Sequence, residues 1–383
     1  MNKIKVMSVF GTRPEAIKMA PLVKELAAYE EIEPIVCVTG QHREMLDQVL
    51  NAFNITPDFD LDIMEKNQTL SSVTSKVLMG LKKVFEVNRP DIVLVHGDTT
   101  TSFAAALAAF YDQIKVGHVE AGLRSFDKTS PYPEEMNRVL TGRLADIHFA
   151  PTALNARNLF NEGVKNHVYI TGNTVIDALK TTVSKDYFFE CPQLNNIDYN
   201  GKKVVLMTAH RRENYGRPME NIMQAVSEIA QRRDDAVFVY PVHLSPYVQD
   251  TAKKYLDGIH NVKLIPPIGV FDMHNLMSRV YMVMTDSGGL QEEAPALGKP
   301  VLVLRRETER PEAVASGTVE IVGTESADII EKALSLFDNQ EHYFRMKRAV
   351  NPYGDGFACA RIAENLLYYF GMRENPAREF VAN

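Results

Sequence analysis

Three carboxylates stand at places where a chain has little structural need of them. HGDTTTS (96–102) puts Asp98 at the end of an apolar run. GHVEAGLRS (117–125) puts Glu120 at the end of the next, beside small Ala121 and Gly122. PYPEEMNR (131–138) offers Glu134 behind two prolines that stiffen the approach. Each has an ordinary reading as well: Asp98 as a helix N-cap, Glu120 as an ion-pair partner of Arg124, Glu134 as a first-turn helix carboxylate. Three acids on consecutive loops point to a ligand more strongly together than singly. Cations accompany them. GTRPEAIKMAP (11–21) sets Arg13 at the mouth of a strand-to-helix turn and Lys18 four residues after Pro14, on a shared helical face. TAHRREN (208–214) repeats the device with His210, Arg211 and Arg212. Such loops suit a small anion; a capped helix with solvated Arg and Lys is the alternative.

TDSGGLQEEAPALG (285–298) adds Ser287, Gly288 and Gly289 just before a helix, where two glycines let a phosphate approach backbone N–H groups. A plain turn is the alternative. Glu292 and Glu293 follow one turn in, where a carboxylate can meet ribose hydroxyls, and RETERPEA (306–313) brings Arg310 before a proline-started helix. No G-x-G-x-x-G follows a strand, no G-x-x-x-x-G-K-[ST] occurs, and no H-E-x-x-H-like spacing exists. NAD, ATP and a metal are therefore not supported, and no cofactor is expected.

The elements that must position these residues come in two series. Apolar runs at 4–10, 34–40, 91–98, 115–122, 146–152 and 167–173 predict strands, with helices at 14–28, 42–53, 70–87, 99–111 and 134–144. The alternation restarts at 203–210 and continues at 237–243, 262–269, 281–289, 299–305 and 318–323. Continuous apolar strands between helices mean parallel sheets covered on both faces. The expected fold class is α/β, with two Rossmann-like, doubly wound domains facing across a cleft, ligands lying beyond the strands' C-terminal ends. Residues 186–203 read as the connection between halves, and the last ten residues as a fraying tail. A length of 383 residues suits two such domains. Net charge −7 argues against nucleic-acid binding through a broad basic surface. Three widely spaced cysteines fit a reducing cytoplasm, and no run of about 18 apolar residues predicts membrane insertion.

Taken in order, GTRPEAIKMAP, VHGDTTTS, GHVEAGLRS, PYPEEMNR, TAHRREN, TDSGGLQEEAP and TERPEA closely resemble the non-hydrolysing bacterial UDP-N-acetylglucosamine 2-epimerases, from residue 4 to NPYGDGFA (351–358). The resemblance implies a GT-B-like fold with residues 1–172 plus 362–383 in the first domain and 173–361 in the second, a helix from 362 to about 375 rejoining the first. It implies a homodimer. It implies interconversion of UDP-N-acetylglucosamine and UDP-N-acetylmannosamine by elimination of UDP to 2-acetamidoglucal and re-addition, in service of a surface polysaccharide. By motif, Asp98, Glu120 and Glu134 become acid/base candidates with no separate role fixed for each. Lys18 falls near sugar and carboxylates, and His210 near the diphosphate and the sugar. Arg13, Ser287, Gly288, Gly289 and Arg310 hold the diphosphate, and Glu293 the ribose. The resemblance also implies a second UDP-N-acetylglucosamine bound as activator by Gln41, His42, Gln68, Arg211 and His243; the plain reading of Gln41 and His42 is the start of a helix. A GT-B glycosyltransferase, a hydrolysing epimerase and a non-catalytic nucleotide-sugar sensor compete with this reading.

Overall fold

Apolar, β-branched runs become strands buried on both faces, as parallel pairing requires. A computed structural model describes residues 3–382 other than His42 and Asn67. IKVMSVF forms β1 (Ile4–Phe10), buried at every position but Lys5. It is followed by β2 (Ile32–Val38), β3 (Phe59–Asp60), β4 (Ile92–His96), β5 (Lys115–Val119), β6 (Ile147–Ala150) and β7 (Val168–Ile170). These seven make one sheet in the order β3-β2-β1-β4-β5-β6-β7, every pair parallel. A second series, β8 (Lys203–Thr208), β9 (Ala236–Pro241), β10 (Val262–Ile265), β11 (Met282–Thr285), β12 (Val301–Val303) and β13 (Val319–Ile321), makes a parallel sheet in the order β10-β9-β8-β11-β12-β13. Among the described residues β3 alone has no counterpart in the sequence reading; two residues carry no period.

The helices Arg13–Ala27, Arg43–Ala52, Leu70–Val87, Thr100–Tyr111 and Glu134–Leu144 fall within a residue or so of their expected spans. The Ala-rich Thr100–Tyr111 helix packs against Leu70–Val87 because small side chains let it sit close to the sheet, with Ala104, Ala105, Ala106 and Ala109 inaccessible. In each sheet the strand order reverses at one place, between β1 and β4 and between β8 and β11. At such a point the two following loops diverge and leave a crevice beyond the carboxyl ends.

The chain divides into two compact units. The first runs up to Lys180 and takes in Tyr353–Val381; the second is Thr181–Pro352. The division after Lys180 rather than after residue 172 has a local cause. Asn173 N–H donates to the Tyr353 carbonyl (2.7 Å). The Asp177 carboxylate accepts the N–H groups of Ala358 (3.1 Å) and Cys359 (2.9 Å), closing the N-terminus of the returning helix Ala358–Tyr369. That helix packs on Arg13–Ala27. The tail, expected to fray, is instead anchored: Phe380 is 7 % exposed and its N–H extends the β7 edge through a bond to the Ile170 carbonyl (2.8 Å). Ala377 N–H also donates to Asn365 Oδ1 (3.1 Å) and Arg361 Nε to the Arg378 carbonyl (3.1 Å), so an irregular segment is tied down at several points. Among the described residues no helix is long and apolar enough to cross a membrane.

Candidate functional site

In the first unit the predicted acids meet at the ends of β4 and β5. Glu120 follows β5 with φ +61, a left-handed conformation that a residue with a Cβ adopts only when its surroundings hold it there. The surroundings are visible. Its Oε1 accepts from Lys18 Nζ (2.5 Å) and from Asn173 Nδ2 (2.9 Å), and its side chain is only 10 % exposed. His96 Nε2 lies 3.1 Å from its Oε2, without the alignment of a hydrogen bond. Gly97 leaves room beside it, since a Cβ there would stand 3.3 Å from Oε2. Arg124, the partner that the ordinary reading gave Glu120, pairs with Glu162 (2.6 Å).

Asp98 follows β4 and is not the helix cap; Thr99 is, accepting the Ser102 N–H at 3.0 Å. The Asp98 carboxylate meets Arg138 (2.7 Å), which also reaches Glu135 (3.4 Å). Its backbone carbonyl accepts from Asn137 Nδ2 (2.9 Å). Burial pushes the Asp98 carboxyl up to about 6; the Arg138 guanidinium and Lys18 pull down against this, and the charges of Glu120 and Glu134 push up. The side chain nevertheless keeps 28 % of its surface open, so a ligand can reach it. Glu134 opens the helix Glu134–Leu144, as the plain reading had it, and is half-buried. Burial holds the neighbouring imidazoles of His96 and His118 down at about 4 and about 3, so both are neutral at physiological pH. Arg13 is exposed at the mouth of its loop, with no ion pair among the described residues.

In the second unit Asp286, fully buried after β11, ties two predicted loops together. Its Oδ2 accepts the N–H groups of His210 and Arg211 (both 2.8 Å) and Nδ2 of Asn214 (3.1 Å). Its Oδ1 faces His210 Nδ1 at 3.3 Å. Burial lowers the His210 pKa, with Arg211 and His243 adding to this while Asp286 opposes it. Ser287, Gly288 and Gly289 come next, leading into the short helix Leu290–Ala296. Neither glycine has a positive φ; their use is space, a Cβ on Gly289 falling 3.2 Å from Glu293 Oε1. The two adjacent glutamates part company. Glu292 is buried in an ion pair with Arg310, whereas Glu293 stays reachable and meets His274 Nε2 at 3.3 Å. His274 is itself fixed by the Thr182 hydroxyl (2.7 Å).

Of the positions expected to bind an activator, Gln41 and Gln68 touch: Gln68 Nε2 donates to the Gln41 carbonyl (3.1 Å), and Gln41 Oε1 accepts from Thr101 (2.8 Å). In the second unit His243 stacks on His210 with ring centroids 5.5 Å apart, and Arg211 carries a buried Nε without a partner. His42 lies outside the described residues.

The sequence reading missed Glu15, Arg138, Asn173, Asp286 and His274. Asn173 and Asp286 could have been found, because each follows a strand, Asp286 within the TDSGG stretch. The others sit inside helices, where residue type alone gives no sign of burial.

A sequence profile described as UDP-N-acetylglucosamine 2-epimerase matches residues 24–367. The chain belongs to the UDP-N-acetylglucosamine 2-epimerase family. It is 54 % identical over 381 residues to the UDP-N-acetylglucosamine 2-epimerase of Bacillus subtilis, covering 99 % of each chain. Identity to the Escherichia coli K12 member of this epimerase family is 51 % over 377 residues, 95 % of this chain and 98 % of that one. Among solved structures, the Neisseria meningitidis UDP-GlcNAc 2-epimerase bound to UDP-GlcNAc superposes with a TM-score of 0.87 at 49 % identity, covering 95 % of this chain and all of that one. The α/β architecture with two doubly wound, Rossmann-like sheets is thus that of the epimerase family.

Proposed function

We propose that the protein interconverts UDP-N-acetylglucosamine and UDP-N-acetylmannosamine without hydrolysis. The observation that carries the reading is the set around Glu120: a strained, cradled carboxylate bonded to Lys18 and close enough to Asp98 for their charges to interact, with Glu134 also acting on Asp98. The C2–H of the sugar has no adjacent carbonyl, so its removal must be coupled to departure of a good leaving group. One carboxylate takes the C2 proton as the C1–O bond breaks, and its electrons leave with UDP, giving 2-acetamidoglucal. A second acid then delivers a proton to the other face of C2 while UDP re-adds at C1. Carboxylates kept at different protonation by their surroundings are what this exchange demands. Lys18 holds Glu120 in place and puts positive charge beside the reacting carbons.

On this reading Arg13, His210, Ser287, Gly288, Gly289 and Arg310 stabilise the departing diphosphate, and Glu293 takes the ribose. Arg310 is pre-set by Glu292, so its guanidinium is oriented before ligand arrives. Gln41, His42, Gln68, Arg211 and His243 hold a second UDP-N-acetylglucosamine as activator. No resident cofactor enters the scheme. The reaction supplies N-acetylmannosamine units for a surface polysaccharide and belongs to a cytoplasmic enzyme.

The deciding experiment incubates the purified protein with UDP-N-acetylglucosamine in D₂O and follows proton NMR. UDP-N-acetylmannosamine with deuterium at C2 is the expected product. Free N-acetylmannosamine with UDP would replace this reading by a hydrolysing one. Initial rates over a range of UDP-N-acetylglucosamine concentrations should be sigmoidal; a hyperbola would remove the activator site.

A further inference from the structure

Glu15 reads from sequence as a carboxylate that merely suits the first turn of a helix. In the structure it is 1 % exposed and has turned inward. Its Oε2 accepts two backbone N–H groups, Gly11 at 3.1 Å and Thr12 at 2.8 Å. Its Oε1 faces two hydroxyls, Thr99 at 2.6 Å and Ser102 at 2.9 Å. Ser102 has one proton for two acceptors, the other being the His96 carbonyl at 2.5 Å. No cation is paired with Glu15 among the described residues, so its partners are all neutral donors. Acceptor capacity on both oxygens is a property of the carboxylate alone among side chains of this length.

The partners lie on two different loops. Gly11 and Thr12 immediately precede Arg13; Thr99 immediately follows Asp98. The strands that feed these loops, β1 and β4, are the neighbours at which the strand order of the first sheet reverses. One buried carboxylate thus joins the two walls of that crevice from behind. The second unit repeats the plan with the residues exchanged. Asp286, after β11, reaches across to the backbone of the loop after β8, and those strands are again the pair at the reversal.

We propose that Glu15 is a positioning residue that sets the Asp98 loop and the Arg13 loop relative to each other. This rests on the epimerase reading above, in which Asp98 moves a proton and Arg13 meets the diphosphate. Glu15 touches neither substrate nor reacting atoms. Its two oxygens act on separable properties: the Oε2 side fixes the loop that binds, the Oε1 side fixes the loop that reacts.

The test uses the full chain and UDP as probe. Glu15→Ala should keep a native circular-dichroism spectrum and bind one UDP per folded chain, with a Kd raised about 10-fold and kcat lowered about 10²-fold, the scale of a misplacement near 1 Å. Glu15→Gln should recover most of the UDP affinity, because its carbonyl can serve the two N–H groups while its amide faces hydroxyls able to accept. Thr99→Val and Ser102→Ala cut the Oε1 side and spare the Oε2 side; Thr99→Val also removes the N-cap of the Thr100–Tyr111 helix, so Ser102→Ala carries the cleaner split. Both should lower kcat while leaving the Kd for UDP within about twofold, a split that simple loss of folded protein does not produce; they also decide the matter if Glu15→Ala fails to fold. Unchanged kcat per folded molecule in the Thr99 and Ser102 variants, or in Glu15→Ala, overturns the proposal. The parent protein is measured alongside. An inactive parent would sink the epimerase reading, whereas an active parent with unaffected variants sinks this inference.

Discussion

Asp98 shows how far one side chain departs from its ordinary chemistry here. Burial sets its carboxyl at about 6, with Arg138 working against the rise. An unperturbed aspartate titrates near 3.9. The native state therefore holds a proton between pH ~4 and ~6 that the unfolded chain has released. The contribution to stability is present below about pH 4 and lost as pH rises through about 6. At neutral pH the ionised group weakens the fold. If Asp98 exchanges the sugar proton as proposed, kcat/KM should show a limb near pH 6. Arg138→Met removes the cation that holds the pKa down, so the limb should move to higher pH. Asp98→Asn should abolish the limb and lower kcat by ~10²-fold or more. A limb that stays near pH 6 in both variants would assign it to another group.

At the scale of elements, the sequence was a good guide wherever a period or a continuous apolar run existed. Twelve strand positions could be read because parallel strands buried on both faces leave an unbroken apolar signature. Arg13, Asp98 and Glu120 were legible because they follow those runs directly, and Lys18 because it shares a helical face with the turn that carries Arg13. What could not be read is what depends on close approach between elements. Glu120's left-handed backbone and the Glu292–Arg310 pair have no local signature, and neither do the Thr99 and Ser102 contacts that Glu15 makes beyond its local T-x-x-E cap; each is imposed by a neighbour distant in sequence. Gly122 belongs to the same group. Its φ is +90, and a Cβ would fall 2.2 Å from the Asn155 carbonyl oxygen. That contact is with backbone of the Ala153–Asn161 helix, which cannot swing aside as a side chain could. Gly122→Ala should thus destabilise by roughly 2–4 kcal/mol, overpacking adding to the cost of a left-handed alanine. A urea midpoint unchanged from the parent's would show that the loop carrying Glu120 yields more easily than this packing implies.

For the molecule as a whole, charge and exposed apolar surface bear on how copies of the chain associate. Net charge is −7, so no broad attraction to polyanions organises its associations. Scattered apolar side chains on a surface are normal. The helices Leu70–Val87 and Thr100–Tyr111 differ because they pack together and concentrate such residues: Met79 is 61 % exposed, Val87 76 %, Phe110 56 % and Tyr111 69 %. The homodimer implied by the sequence resemblance would cover them with a second copy, each fully buried large side chain contributing about 1.5–3 kcal/mol. Light scattering after size exclusion at micromolar concentration should then give twice the chain mass of 43.1 kDa. Phe110→Glu combined with Met79→Glu buries two unpaired carboxylates in such an interface and should return the mass to that of one chain, with circular dichroism unchanged. A parent that runs as a monomer would reject the dimer. A dimeric double variant would move its interface to another face of the protein.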